Sequence, residues 1–276
     1  MTVVVVTDSA ARLPAKLRAQ WGIRQVPLHL LVDGVDLREG VDDIPEDLFE
    51  RGRVSTAAAT PADLRAAYRQ AWDDSAGAGV VAVHISAAMS GTVRVAEAVA
   101  AEVGQPVRVV DSRSVAMGTG FAALAAARAA AEGADMATVA EAAVDAVHRG
   151  RAYVVVQRLD SLRRSGRIGG ASAWLGTALS LKPLLRIDNG ELVLAQRIRT
   201  ASKAVAAMIE RVVEAVGDRP AGIAVHHVAA PDGAAALAAT LADRLPQCAP
   251  AIVAELAPVL AVHVGAGALG VCLDVG

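Results

Sequence analysis

Aromatic residues are scarce. Two Phe, two Tyr and three Trp make up 3% of the 276 residues, against a hydrophobic content of 54%. Such an interior is built from Ala, Val, Leu and Ile, which suits parallel strands covered by helices. Cysteine is scarcer still: Cys248 and Cys272 stand far apart, with no Cys-x-x-Cys or metal-ligand spacing, as fits a reducing compartment. Charge nearly cancels at net −2, so no overall field draws the chain to nucleic acid or an anionic membrane. No basic and apolar leader is present, and no signal peptide is expected. The uncharged span 256–273 is interrupted by Pro258, Gly265, Gly267 and Gly270. It reads as two buried strands around a glycine turn, not as a membrane helix. A cytoplasmic protein without membrane insertion is the expectation. Carboxylate pairs, a Walker A motif and a Gly-x-Gly-x-x-Gly strand–helix junction are also missing from the sequence.

What is present centres on residues 80–92. Val80-Val-Ala-Val-His-Ile85 has the composition of a buried strand, and Ser86-Ala-Ala-Met-Ser90-Gly91-Thr92 that of a turn into a helix over 94–103. In an open α/β sheet this is where ligands collect, because helix N–H groups and the helix dipole favour an anion. Gly91 admits a ligand close to the backbone, and Ser86, Ser90 and Thr92 bring hydroxyls. The same residues also suit a plain helix cap.

Strands are expected over 3–6, 23–32, 80–85 and 107–110, and helices over 14–21, 46–51, 61–73, 94–103, 120–132 and 136–149. Residues 55–59 read as an irregular connector before a helix start at Thr60-Pro61 with Asp63. Asp8 and Asp111 end strands and read as caps. Beyond Gly150, strands are expected over 153–157, 183–187, 191–197, 222–228 and 251–255, with two more within 259–275. A hairpin turn falls at Asp188-Asn189-Gly190. Helices are expected over 171–181, 202–216 and 233–245. The boundary divides an N-terminal α/β domain, 1–150, from a C-terminal α/β domain, 151–276.

Polar groups cluster at Thr56, at Ser86 and Ser90–Thr92, at Ser165-Gly166-Arg167, and at His263 before Gly265-Ala266-Gly267. Each cluster is expected in or beside a small-residue loop at the end of an apolar strand. Together they offer donors for an oxyanion without a nucleophile–base–acid set. His226 and His227 are adjacent on a strand, point to opposite faces and cannot share a metal. Between Arg151 and Lys203 ten Lys/Arg face three acids. That basic stretch suits either a solvated surface or docking of an acidic protein or phosphate groups. RNA is disfavoured, since only Tyr153 and Trp174 offer stacking there.

The ordered set Thr7-Asp8-Ser9, Thr56, Thr60-Pro61, Ser90-Gly91-Thr92, Asp111-Ser112, Ser165-Gly166-Arg167-Ile168, Leu181-Lys182-Pro183, Arg199-Thr200 and His263-x-Gly265-x-Gly267 resembles the DegV family over nearly the whole chain. The resemblance implies two α/β domains, each a mostly parallel sheet flanked by helices, with a long-chain fatty acid bound between them. It implies a non-catalytic, lipid-carrying subunit of a bacterial fatty acid kinase, with no cofactor, no metal site and no catalytic residue. An ATP-binding partner would phosphorylate the carboxylate for phospholipid synthesis. Thr56, Ser90 and His263 would bind the carboxylate, with Gly91, Thr92 and Ser86 in the same turn and Arg167 near the head group. Arg199, flanked by Arg197 and Lys203, would meet the partner. Two departures stand out: Ala57-Ala58-Ala59 replaces the family's Ser-Gln-Pro, and Ala87 replaces a second serine. The alternatives are a lipid sensor without a kinase, or a small-molecule phosphotransfer enzyme using His263 or His226.

Overall fold

The computed structural model describes residues 1–45, 48, 54–168 and 181–276. The helices expected over 46–51 and 171–181, and Trp174, fall almost wholly outside that set. Contacts divide the chain into two units: Met1–His148 with Ala257–Val259, and Arg149–Leu256 with Leu260–Gly276.

The first unit runs β1 (Val4–Asp8), α1 (Ala15–Gln20), β2 (Arg24–Val26), β3 (His29–Val32), β4 (Val35–Arg38) and β5 (Val54–Ala57). It continues α2 (Pro61–Ser75), β6 (Val80–His84), α3 (Thr92–Glu102), β7 (Val107–Asp111), α4 (Met117–Ala131) and α5 (Met136–Arg149). β2, β1, β6 and β7 form an all-parallel sheet in that order. Its inner strand β6 is buried at every position, as strands covered on both faces must be. α4 packs on β1 and β6 through an alanine-rich surface in which Ala122, Ala123, Ala126, Ala127 and Ala130 are buried. Gly120 takes this close approach furthest: a Cβ there would lie 2.8 Å from the Ala11 carbonyl oxygen.

Two expectations change in this unit. The single strand over 23–32 is two strands, β2 in the parallel sheet and β3 in a separate antiparallel sheet ordered β4-β3-β5. The break falls at Pro27, which has no N–H to give a ladder. The connector over 55–59 is in part a strand: Ser55, Thr56 and Ala57 pair with Leu31, Leu30 and His29. Asp33 and Gly34 turn β3 into β4, both at positive φ (51° and 88°), the geometry of a two-residue hairpin. Thr60 caps α2 by accepting the Asp63 N–H at 3.1 Å, with Pro61 opening the helix.

The second unit contains β8 (Gly150–Val155), α6 (Asp160–Ser165), β9 (Leu184–Asp188), β10 (Glu191–Gln196), α7 (Ala201–Val216) and β11 (Ala221–His227). It then contains α8 (Pro231–Arg244), β12 (Ile252–Glu255), α9 (Pro258–Val264, which crosses the division) and β13 (Leu269–Val275). Among the described residues its sheet has six strands, ordered β10-β9-β8-β13-β11-β12. Only β11 and β12 are parallel neighbours; the other pairs are antiparallel. The α/β class holds for both units, but the expectation of a mostly parallel sheet holds only for the first. The reason lies in β9–β10, a hairpin on Asn189-Gly190, and in β13, which returns between β8 and β11. Ala204, Met208, Val212 and Val216 recur every fourth residue along α7 and are buried, the stripe that seals a helix onto a sheet.

The two strands expected within 259–275 are a helix and a strand. Pro258 opens α9, and the Glu39 carboxylate accepts the Val259 N–H at 2.7 Å. A capped first turn overrides the β-branched composition of 259–264. Among the described residues, no helix is long and apolar enough to cross a membrane.

Gly120→Ala is expected to destabilise the protein by about 1–3 kcal/mol, because the clash with a backbone oxygen outweighs alanine's better helix propensity. Thermal or urea unfolding measures it, and wild-type stability in the variant contradicts the close packing described.

Candidate functional site

In the first unit the candidate site is the turn from β6 into α3. Ser86 is fully buried. Its N–H donates to the Ser114 carbonyl at 2.9 Å, its carbonyl accepts the Met89 and Ser90 N–H groups at 3.0 Å, and its Oγ accepts the Ala88 N–H. Ser86 therefore braces the turn from within. Ser90 is half-buried, and its Oγ lies 2.9 Å from Thr92 Oγ1 and accepts the Thr92 N–H at 3.3 Å. Gly91 is exposed and sits at the helix cap without a side-chain bond of its own.

Thr56 stands half-buried on β5, so it lies on a strand rather than in a loop at a strand end. The connector that follows it reaches the turn: a Cβ on Gly91 would lie 3.9 Å from the Ala58 Cβ. Two of the four expected clusters, Thr56 and Ser86–Thr92, thus belong to neighbouring segments of one unit.

Two acids hold this turn, and the sequence reading left both outside the site. Asp8 Oδ1 accepts the Ala10 N–H and caps the 3-10 turn Ser9–Ala11. Its Oδ2 accepts the Ile85 N–H at 2.8 Å and meets His84 Nδ1 at 3.1 Å. Asp111 Oδ1 accepts the Ala87 N–H at 3.1 Å and the Arg113 N–H at 2.8 Å. It caps no helix, since α4 begins at Met117. Their sequence signal was their place at the ends of the strands flanking β6.

The second unit brings together the other two clusters. Arg167 follows α6, whose C-cap Gly166 adopts a left-handed φ of 67°. The Arg167 guanidinium donates to the Ser165 carbonyl, and Ser165 Oγ donates back to Leu162 O within its helix. His263 lies in the last turn of α9, ahead of Gly265 and Gly267 at φ 79° and 77°. It sits on a helix, not beside a strand as expected. Burial first, and the positive charge of Arg167 second, push the His263 imidazole down to about 4. At neutral pH it is an uncharged ring beside a guanidinium. Gln157 supports the glycines: its Nε2 donates to the Gly267 carbonyl, and its own carbonyl accepts Lys182 Nζ.

Arg197, Arg199 and Lys203 are all exposed around the start of α7, where Thr200 accepts the Lys203 N–H. In the same basic stretch Arg158 pairs with Asp160 and Arg186 with Asp188. His226 Nδ1 donates to the Ala254 carbonyl and His227 Nδ1 accepts the Ala230 N–H, so both serve the fold.

A family model described as "Uncharacterised protein, DegV family" matches residues 2–275. This chain belongs to the DegV family. A DegV domain-containing protein of Mycobacterium tuberculosis is 66% identical over 276 residues, covering 100% of this chain and 98% of that protein. Among solved structures, a fatty-acid-binding DegV family protein of Thermus thermophilus is 32% identical, with a TM-score of 0.92 and 100% coverage of both chains. DegV of Bacillus subtilis, described as a fatty acid binding protein, is 29% identical, with a TM-score of 0.90 and the same coverage.

Acidification tests the His263 environment. An unfolded imidazole titrates near 6.5 and the folded one near 4, so in that window the unfolded chain binds more protons and stability rises with pH. Lowering the pH from 7 to 4 is expected to cost on the order of 3 kcal/mol through this group. His263→Gln removes that component in pH-dependent denaturation, and Arg167→Gln raises the His263 midpoint seen by NMR. A midpoint near 6.5 in the wild type contradicts the described burial.

Proposed function

We propose that this protein binds a long-chain fatty acid and presents its carboxylate to a separate ATP-dependent kinase. The observation that carries the head-group assignment is the approach of Ala58 to Gly91, which sets the segment after Thr56 against the Ser90-Gly91-Thr92 turn. Fatty acid binding by the Thermus and Bacillus proteins, matched over their whole length, supports the ligand class.

The physical logic is a division of labour. Burying the tail contributes about 0.8 kcal/mol per methylene without direction. The carboxylate loses its water and needs donors, and bonds to a charged acceptor are the strong ones. Ser90 and Thr56 supply hydroxyls, the buried Thr92 hydroxyl orients Ser90 Oγ from behind, and Gly91 gives close access to backbone. His263 supplies a neutral ring N–H, and Arg167 a cation that offsets charge on the carboxylate or on an acyl-phosphate. The chain itself is a binding subunit: phosphoryl transfer depends on positioning and charge neutralisation, with ATP brought by the partner. Arg197, Arg199 and Lys203 form the docking surface for an acidic face of that partner, which steers encounter. Lipid carriage of this kind places the protein in the cytoplasm and in phospholipid synthesis.

Native mass spectrometry of purified protein is expected to show a co-purifying long-chain fatty acid. Ser90→Ala and His263→Ala are each expected to weaken its retention roughly 10-fold in a still-folded protein. Full retention in both variants removes the head-group assignment.

Arg199→Ala is expected to keep the lipid and lose phosphorylation when an ATP-binding partner is added. Equal turnover removes Arg199 from the interface, and absence of acyl-phosphate with any partner favours a lipid sensor.

A further inference from the structure

A polar chain crosses the apolar interior of the first unit. Tyr68 on α2, His84 at the end of β6 and Asp8 at the end of β1 are each 0% exposed. Tyr68 Oη lies 2.9 Å from His84 Nε2, and His84 Nδ1 lies 3.1 Å from Asp8 Oδ2. Burial, and secondarily the Asp8 charge, push the Tyr68 phenol above its ordinary value. It keeps its proton, and His84 Nδ1, facing a carboxylate that can only accept, is the donor to Asp8. With the Ile85 and Ala10 N–H groups on the same carboxylate, the Asp8 carboxylate accepts three donors. A buried network is tolerable only when satisfied in this way.

Filling the core does not require these groups. Leu64 and Ala71, one turn to either side of Tyr68 on α2, are apolar and fully buried, and a phenylalanine would occupy the same space. What the network does is join three segments. α2 follows the connector from Thr56, β6 runs directly into Ile85 and the Ser86–Thr92 turn, and Asp8 holds the Ile85 peptide at the point where the strand ends.

We infer that the Tyr68–His84–Asp8 chain is a positioning device that fixes the Ile85–Ser90 backbone relative to the Thr56 connector, and so sets the preference of this turn for a carboxylate over an uncharged head group. The inference rests on the proposed head-group site. Hydrogen bonds weaken steeply with distance and angle, whereas tail burial is non-directional. A displaced turn therefore loses affinity for an acid and keeps its affinity for an ester with the same tail.

The test compares stearate and methyl stearate on the delipidated full chain. The wild type is expected to prefer the acid. Tyr68→Phe is expected to lower the acid-to-ester affinity ratio by about 3–10-fold with ester affinity unchanged, and Ser90→Ala serves as reference. In the wild type, stearate but not its ester shifts the His84 ring nitrogen signals, a readout that holds even if the variant does not fold. The inference is overturned if Tyr68→Phe keeps the wild-type ratio, if it loses acid and ester alike, or if His84 ignores stearate. A ratio lowered by Ser90→Ala but not by Tyr68→Phe rejects the positioning role alone. A wild type that binds neither ligand, or both equally, rejects the head-group site itself.

Discussion

The first unit depends on one carboxylate. Asp8 ends β1, and β1 is the parallel neighbour of β6; the side chain ties the ends of both strands together. One oxygen closes the 3-10 turn after β1, and the other holds Ile85 and His84. A buried acid without donors would cost several kcal/mol, so the three donors stabilise one arrangement of the strand ends and penalise the others. The C-terminal end of the sheet, from which the Ser86–Thr92 turn departs, is held in one arrangement by that requirement. Asp111 does the same from β7 with fewer partners.

The two units present different chemistry to an anion. The first offers hydroxyls and a glycine on a braced backbone. The second offers an imidazole that burial and Arg167 keep uncharged, beside the cation that keeps it so. The scarcity of aromatic side chains noted in the sequence leaves both interiors aliphatic, as in the α7 stripe of Ala204, Met208, Val212 and Val216.

Local signals in the sequence were legible wherever the cause was local. Thr60-Pro61 with Asp63, the Asn189-Gly190 turn and the apolar run of β6 carry their structure within a few residues, and each element formed where those residues placed it. Where the cause is distant, the sequence misled. β5 is a strand because β3, more than twenty positions away, offers it a partner. α9 is a helix although its composition favours a strand, since its first turn is capped by Glu39 at a separation of 220 residues. β13 is one of two strands expected in a mostly parallel sheet, yet it inserts antiparallel between β8 and β11. The site shows the same limit. Ser90, Gly91 and Thr92 follow from a strand–turn–helix pattern, whereas the hold of Asp8 on Ile85 spans 77 residues and carries no local signature.

The central claim is that the turn braced by Asp8 receives the acid end of a lipid. A crystal structure of the lipid-loaded protein tests it most directly. The account predicts a carboxylate oxygen within about 3 Å of Ser90 Oγ, with the acyl chain leading away into aliphatic surroundings. A head group bound elsewhere, with Ser90 Oγ bonded only to Thr92 and water, would contradict it.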